Sequence, residues 1–88
     1  MIVDEEEYLV VYPGHNAAVL LYQRLKTRLC NVELVSTPSK VYSGCTKSIK
    51  FEGIYMDIVK SEINKIDIKP KGVYKIIKRG QFRDYYKL

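Results

Sequence analysis

The sequence predicts an α+β protein, a ferredoxin-like βαββαβ sandwich in which a four-stranded antiparallel sheet carries two helices on one face. Short β-branched and aromatic runs alternate with two longer segments in which apolar residues recur every three or four positions. The resulting order is β-α-β-β-α-β, and short, right-handed connections leave few other arrangements. The chain has 88 residues, enough for one core, so we treat residues 1–88 as a single domain with its core at 8–78.

The first half of the chain predicts two strands around one helix. Residues 8–12 are β-branched or aromatic and are closed by Pro13-Gly14, so they predict the first strand. Residues 17–29 predict a helix, with His15 and Asn16 at its start. Its apolar stripe is Ala18, Leu21, Tyr22, Leu25 and Leu29. Residues 32–36 alternate between apolar and polar side chains and predict the second strand.

The second half repeats this pattern. Residues 45–51 alternate and predict a third strand, with Ile49 and Phe51 on one side. Residues 54–64 predict the second helix and residues 73–78 the last strand, followed by a tail at 79–88. The polar residues of the second helix are expected to be solvated: Asp57, Lys60, Ser61 and Glu62.

Composition and charge limit the classes of binding partner that the sequence predicts. The net charge of +5 raises nucleic acid as a partner, but the 15 basic residues are scattered among apolar ones, as on solvated faces, so we predict none. The longest apolar run is far short of the ~20 residues that cross a membrane, so no membrane partner is expected. The acidic residues at 4–7 are the opposite of a basic leader, which predicts a cytoplasmic protein.

Two cysteines and one histidine do not predict a metal site. Cys30 and Cys45 are too few for a disulfide scaffold, and no Cys-x-x-Cys spacing is present. We therefore expect no metal and no cofactor.

The loop at residues 36–45 connects the second and third strands and ends in a thiol. Ser43 and Gly44 give turn chemistry directly before Cys45. In the predicted topology the third strand begins beside the end of the first, so Cys45 is expected near Gly14 and His15, at the positive end of the first helix. Nearby cations would favour the thiolate further. These cations are Lys40, Lys69 and Lys71.

Other interpretations of these residues remain open. A free cysteine often only fills space, which is the interpretation favoured for Cys30 and left open for Cys45. A ferredoxin-like sheet can also be an interaction or RNA-binding module, with Tyr8 and Tyr12 on its open face beside Ser48 and Lys50. An open face bearing Tyr8, Val10 and Tyr12 predicts a homodimer, unless the aromatic tail covers it.

At these residues the chain resembles a known family. The segment Tyr12-Pro13-Gly14-His15-Asn16-Ala17, then Glu33-Leu34-Val35-Ser36-Thr37-Pro38, and then Cys45 after a six-residue spacer are similar to the bacterial family labelled putative Se/S carrier protein-like. Thr46 stands where that family usually has glycine, and Lys40 stands near its usual arginine.

The resemblance implies that Cys45 holds a sulfur or selenium atom as a persulfide or selenenyl sulfide and hands it on. Donor and acceptor proteins are the implied partners. It implies a carrier and not an enzyme, with Gly14, His15, Lys40, Ser43 and Gly44 in support of the thiol.

Overall fold

The computed structural model of the chain describes residues 6–42 and 46–88. Its helices and strands confirm the α+β class. In chain order they are strand β1 (Glu7–Tyr12), helix α1 (His15–Thr27), strand β2 (Glu33–Ser36), strand β3 (Lys47–Glu52), a 3-10 turn (Gly53–Tyr55), helix α2 (Met56–Asn64), strand β4 (Gly72–Arg79) and strand β5 (Phe82–Lys87).

The sheet has five strands, so the predicted four-stranded sheet is wrong. The strand order is β2-β3-β1-β4-β5, and all neighbours are antiparallel. The additional strand is β5, which lies within the predicted tail and pairs with β4 from Arg79 opposite Phe82 onward. Gly80, at φ +60°, allows the two-residue turn that joins them.

Both helices pack on one face of the sheet. Their apolar stripes share a core with the side chains that β1 and β3 direct to that face. The fully buried members are Val10, Tyr12, Ala18, Leu21, Leu25, Ile49 and Val59. Burying one such leucine or valine contributes about 1.5–3 kcal/mol, so this layer holds the helices in place.

The tyrosines predicted on the open sheet face lie instead on the helix face. Tyr12 is completely buried, and Tyr8 stacks on Phe51 with ring centroids 5.7 Å apart. The open face carries Leu9 and Val11, which are buried although no helix covers them. The partly buried residues that pack against this second cluster are Val35, Val41, Tyr74 and Tyr85. Tyr85 of the tail therefore packs on the open face. Because Tyr8 and Tyr12 lie on the other face, under the helices, the prediction that they form an RNA-binding surface is wrong.

Helix α1 begins two residues before the predicted start and ends before the predicted end. Leu29 follows it at φ 62°, a left-handed conformation that usually belongs to glycine. Two backbone bonds close this end: Leu29 N–H donates to Lys26 O at 2.9 Å and Cys30 N–H to Leu25 O at 3.0 Å. Within the described chain, neither helix has the length and apolar character that a membrane span requires.

Candidate functional site

The first turn of α1 is the start of the candidate site. Gly14 is its N-cap, in an extended conformation, and has no side chain with which to cap the helix. The first turn also contains no acidic residue. Among residues 6–42 and 46–88, no side chain caps its backbone N–H groups, which carry the partial positive charge of a helix N-terminus.

An open hollow lies at this helix end. It has a volume of about 400 Å³ and is lined by Pro13, Gly14, His15, Asn16, Ala17 and Ile68. His15 and Asn16 are exposed, and Ile68 is 50% exposed and lines it from the connection before β4. The hollow combines polar donors with an apolar wall and is open to solvent, so a small anionic group or a partner's side chain could enter it.

Four segments of the chain meet at this end of the sheet. Lys47 pairs with Tyr12, so β3 begins beside the end of β1, as predicted. Thr46 O accepts from the backbone N–H of Thr37 at 3.2 Å, and Val11 O accepts from that of Lys71 at 2.7 Å. The ends of β1 and β2 and the starts of β3 and β4 are thus joined by backbone hydrogen bonds.

The predicted site residues divide into three groups. Gly14 and His15 lie together at the start of α1. Lys40 does not join them, because its ammonium group donates to Arg83 O at 3.0 Å and lies 3.6 Å from the Asp84 carboxylate, at strand β5. Ser43, Gly44 and Cys45 lie outside the described residues.

Lys71, one of the predicted cations, contacts the loop at residues 36–45. Its Nζ lies 4.8 Å from the ring centroid of Tyr42, a cation–π contact. Tyr42 is three residues before Cys45 in sequence. Lys69 is exposed on the same connection. The cations at this end are therefore Lys47, Lys69 and Lys71, together with the helix terminus, whereas Lys40 contacts β5.

Two buried hydroxyls at the same end have no hydrogen-bond partner among residues 6–42 and 46–88. They are Tyr12 Oη and Thr46 Oγ1. Burial raises the pKa of Tyr12 to about 12, so its hydroxyl is neutral at physiological pH. A buried hydroxyl without a partner costs about 1–3 kcal/mol, so both are exceptions to ordinary packing.

Cys30 is a packing residue, as predicted. It is 2% exposed and belongs to the core under the helices. Its thiol donates to the Arg28 carbonyl oxygen, 3.9 Å from Sγ. A thiol in this position cannot be reached by a partner protein without opening of the core.

Sequence reasoning missed an ion cluster at the other end of α1. Glu62, predicted to be solvated, is only 3% exposed. Arg24 Nε lies 2.6 Å and Arg28 Nη1 2.9 Å from its two carboxylate oxygens, and Lys65 Nζ lies 3.4 Å away. The sequence carried two signals: the four-residue spacing of Arg24 and Arg28 at the end of α1, and the three-residue spacing of Glu62 and Lys65.

The environment of Glu62 has opposing effects on its ionisation. Burial raises the pKa of the Glu62 carboxyl, but the hydrogen bonds from Arg24 and Arg28 and the nearby charge of Lys65 outweigh it, so the pKa lies below the ordinary value. Glu62 is therefore ionised at neutral pH. Elsewhere in the described ranges, no three His, Cys, Asp or Glu side chains come close enough to hold a metal ion.

Comparison with known proteins gives one family. The family model described as "Putative Se/S carrier protein-like" matches residues 7–75, which includes β1 through the first half of β4 and excludes β5. No curated protein and no solved structure matches the chain.

Proposed function

Because the chain belongs to the Putative Se/S carrier protein-like family, we propose that it carries a sulfur or selenium atom on the thiol of Cys45. A donor protein loads the atom and an acceptor protein removes it. The protein itself is a carrier and not an enzyme. Such a thiol needs a compartment that keeps cysteines reduced, so we propose a cytoplasmic location.

One observation supports Cys45 rather than Cys30 as the residue that carries the atom. The chain has two cysteines, and Cys30 is 2% exposed within the core. Loading requires attack by an accessible thiolate, which excludes a thiol surrounded by aliphatic side chains. This difference supports Cys45 as the residue that carries the proposed chemistry.

The proposed transfer is balanced without an external oxidant or reductant. The Cys45 thiolate attacks the outer sulfur of a persulfide on the donor, and a new S–S bond forms. The donor's S–S bond breaks, and its electron pair stays on the donor sulfur, which leaves as a thiolate. Transfer of selenium follows the same balance with selenium as the outer atom.

The described residues around the loop support a low thiol pKa in this proposal. Lys47, two residues after Cys45, pairs with the end of β1, directly before Gly14 and His15. We propose that Cys45 lies at this edge, where the N–H groups of α1 and the Lys71 ammonium would favour the thiolate. His15, Ser43 and Gly44 complete the proposed site.

The experiment is persulfide loading with a matched cysteine variant. The protein is incubated with a cysteine desulfurase that holds a persulfide, and intact mass is measured. Wild type and Cys30→Ala are expected to gain about 32 Da, one sulfur atom, and Cys45→Ser to gain nothing. Equal loading of Cys45→Ser, or loss of loading in a folded Cys30→Ala protein, would contradict the proposal.

The ferredoxin-like arrangement also belongs to the proposal. We propose that β1 to β4 with the two helices form a ferredoxin-like unit, to which β5 adds one edge strand. The strand order β2-β3-β1-β4 within the sheet supports this assignment.

We also propose a homodimer through the open sheet face, supported by other residues than those named from the sequence. Tyr8 and Tyr12 no longer support it, since they lie under the helices. Its support is a hollow of about 250 Å³ on that face, lined by Leu9, Val35, Ser36, Pro38, Lys50, Ile76, Arg83 and Tyr85. A light-scattering mass of twice one chain is expected, and the mass of a single chain would contradict it.

A further inference from the structure

We propose that the hollow at the carboxyl end of α1, between Arg24, Thr27, Arg28 and Glu62, binds a single oxyanion group. A carboxylate or a phosphate group has the required chemistry. Arg24 follows His15 by nine residues, about 14 Å along the helix axis, so this hollow is separate from the one at the helix start. The inference does not depend on the role of Cys45.

The charges of the cluster do not balance. Three cations, Arg24, Arg28 and Lys65, surround the one carboxylate of Glu62. One arginine is sufficient to neutralise a buried carboxylate. Two positive charges therefore remain unmatched within the cluster, and like charges four residues apart on a helix repel each other.

The arginines also keep unused hydrogen-bond donors. Arg24 binds Glu62 through Nε, and Arg28 binds it through Nη1. Each guanidinium has five N–H groups, and the described chain provides neither arginine with any further acceptor. Their side chains are 38% and 44% exposed, so the remaining donors are accessible from solvent.

Glu62 keeps these donors in position. The carboxylate is 3% exposed and accepts from both arginines at once, which fixes the two guanidinium groups relative to each other. A preformed pair loses less side-chain entropy when a ligand binds than two mobile arginines would. The hollow has a volume of about 250 Å³, which suits one group rather than an extended chain.

The distribution of the other cations argues against a nucleic-acid strand as the ligand. On the sheet, Lys75 pairs with Glu6, Lys50 and Lys78 share Glu7, and Lys40 and Arg79 share Asp84. A nucleic-acid interface needs a continuous basic surface. The Glu62 cluster has the largest local excess of positive charge among the described ion pairs.

The test is titration of the folded protein at low salt, followed by backbone NMR shifts. One arm uses inorganic phosphate and the other a hexaglutamate peptide. We expect saturable shifts in the last turns of α1 and the end of α2. Tighter binding of the peptide would assign the site to an acidic partner protein, and tighter binding of phosphate to a free oxyanion.

Variants separate this site from general charge attraction. Arg28→Gln is expected to weaken binding about tenfold, as is Arg24→Lys, which keeps the charge but loses the guanidinium donors. Lys26→Gln is the matched control, because it removes one charge from an exposed position of the same helix, and it is expected to change affinity less than about twofold.

Lys65→Gln tests the same site without touching either arginine. Lys65 is 54% exposed, so the fold is expected to tolerate this change, and binding is expected to weaken about threefold. The proposal is overturned if neither probe gives saturable shifts at this end of α1. It is also overturned if Lys26→Gln weakens binding as much as Arg28→Gln does.

Discussion

Tyr12 combines two features that rarely occur in one residue. Its ring is completely buried under the helices, and its hydroxyl has no hydrogen-bond partner among the described residues. The raised pKa of about 12 has the same origin, since burial disfavours the phenolate. Tyr12 ends β1 and lies two residues before Gly14, the N-cap of α1. The unpartnered hydroxyl therefore belongs to a residue beside the candidate site.

Replacing Tyr12 with Phe tests whether the hydroxyl is a net cost. Tyr12→Phe keeps the ring packing and removes the unsatisfied group, so we expect the free energy of unfolding to rise by about 1 kcal/mol in urea denaturation. Tyr22→Phe is the control, because the Tyr22 side chain is only half-buried, and it should have little effect. A loss of stability in Tyr12→Phe would instead mean that the hydroxyl has a partner beyond the described residues.

At the scale of elements, helix α1 ends with a residue that is poorly suited to its conformation. Leu29 has φ 62° and is 89% exposed, so its side chain contributes little packing in return. The two backbone bonds at this end form the pattern in which glycine is preferred at the left-handed position. The strain is local, and it lies directly before the buried Cys30.

Glycine at position 29 is therefore expected to stabilise the helix end. We predict that Leu29→Gly raises the free energy of unfolding by about 0.5–1 kcal/mol, because relief of the left-handed strain exceeds the entropy that glycine adds to the unfolded chain. Leu29→Ala is the matched control, since it removes the same side chain but keeps Cβ, and it should not stabilise. Thermal unfolding of the three proteins measures this, and equal stability of the two variants would refute the explanation by strain.

At the scale of the whole molecule, three carboxylates link stability to pH. A hydrogen bond from Tyr8 and one from Lys75 lower the pKa of Glu6, and a hydrogen bond from Lys78 lowers that of Glu7. The pKa of Glu62 is lowered as well, despite its burial. Groups with a lower pKa in the folded state stabilise it above the unfolded pKa, and this contribution is lost as pH falls through the folded value.

Acid is therefore expected to destabilise the protein, with Glu62 as a main contributor. The melting temperature should fall as pH decreases below about 4.5, the ordinary range of a carboxyl group. Glu62→Gln should cost about 2–4 kcal/mol at neutral pH, since it leaves the arginines without their buried partner, and should make the acid dependence shallower. Glu33→Gln, at an exposed position, is the control. An unchanged pH profile in Glu62→Gln would contradict this account.

The sequence was sufficient to predict both helices and the first four strands, but not strand β5 or the face of the sheet on which each residue of β1 lies. Residues 8–12 are apolar at every position, so their alternation could not show which side meets the helices, and Tyr12 was placed on the wrong face. Strand β5 was missed because its residues are mostly charged or exposed, and only Gly80 signals the turn.

The Glu62 cluster and the contacts of Lys40 illustrate a second limit. Glu62 pairs with residues 34 and 38 positions away in sequence, and Lys40 with Arg83, 43 positions away. Periodicity within one helix or loop carries no information on such partners. By contrast, the approach of β3 to the end of β1 followed from topology alone, and the pairing of Lys47 with Tyr12 confirms it.

Alkylation of the two cysteines compares their accessibility and thiolate character in one measurement. The folded protein is treated with iodoacetamide below neutral pH, and the Cys45 and Cys30 peptides are quantified over time by mass spectrometry. Because an ordinary thiol with a pKa of about 8.5 is mostly protonated there, we expect Cys45 to react at least about tenfold faster than Cys30, and the two to become equal in denaturant. Equally slow alkylation of both in the folded protein would contradict a carrier thiol at Cys45.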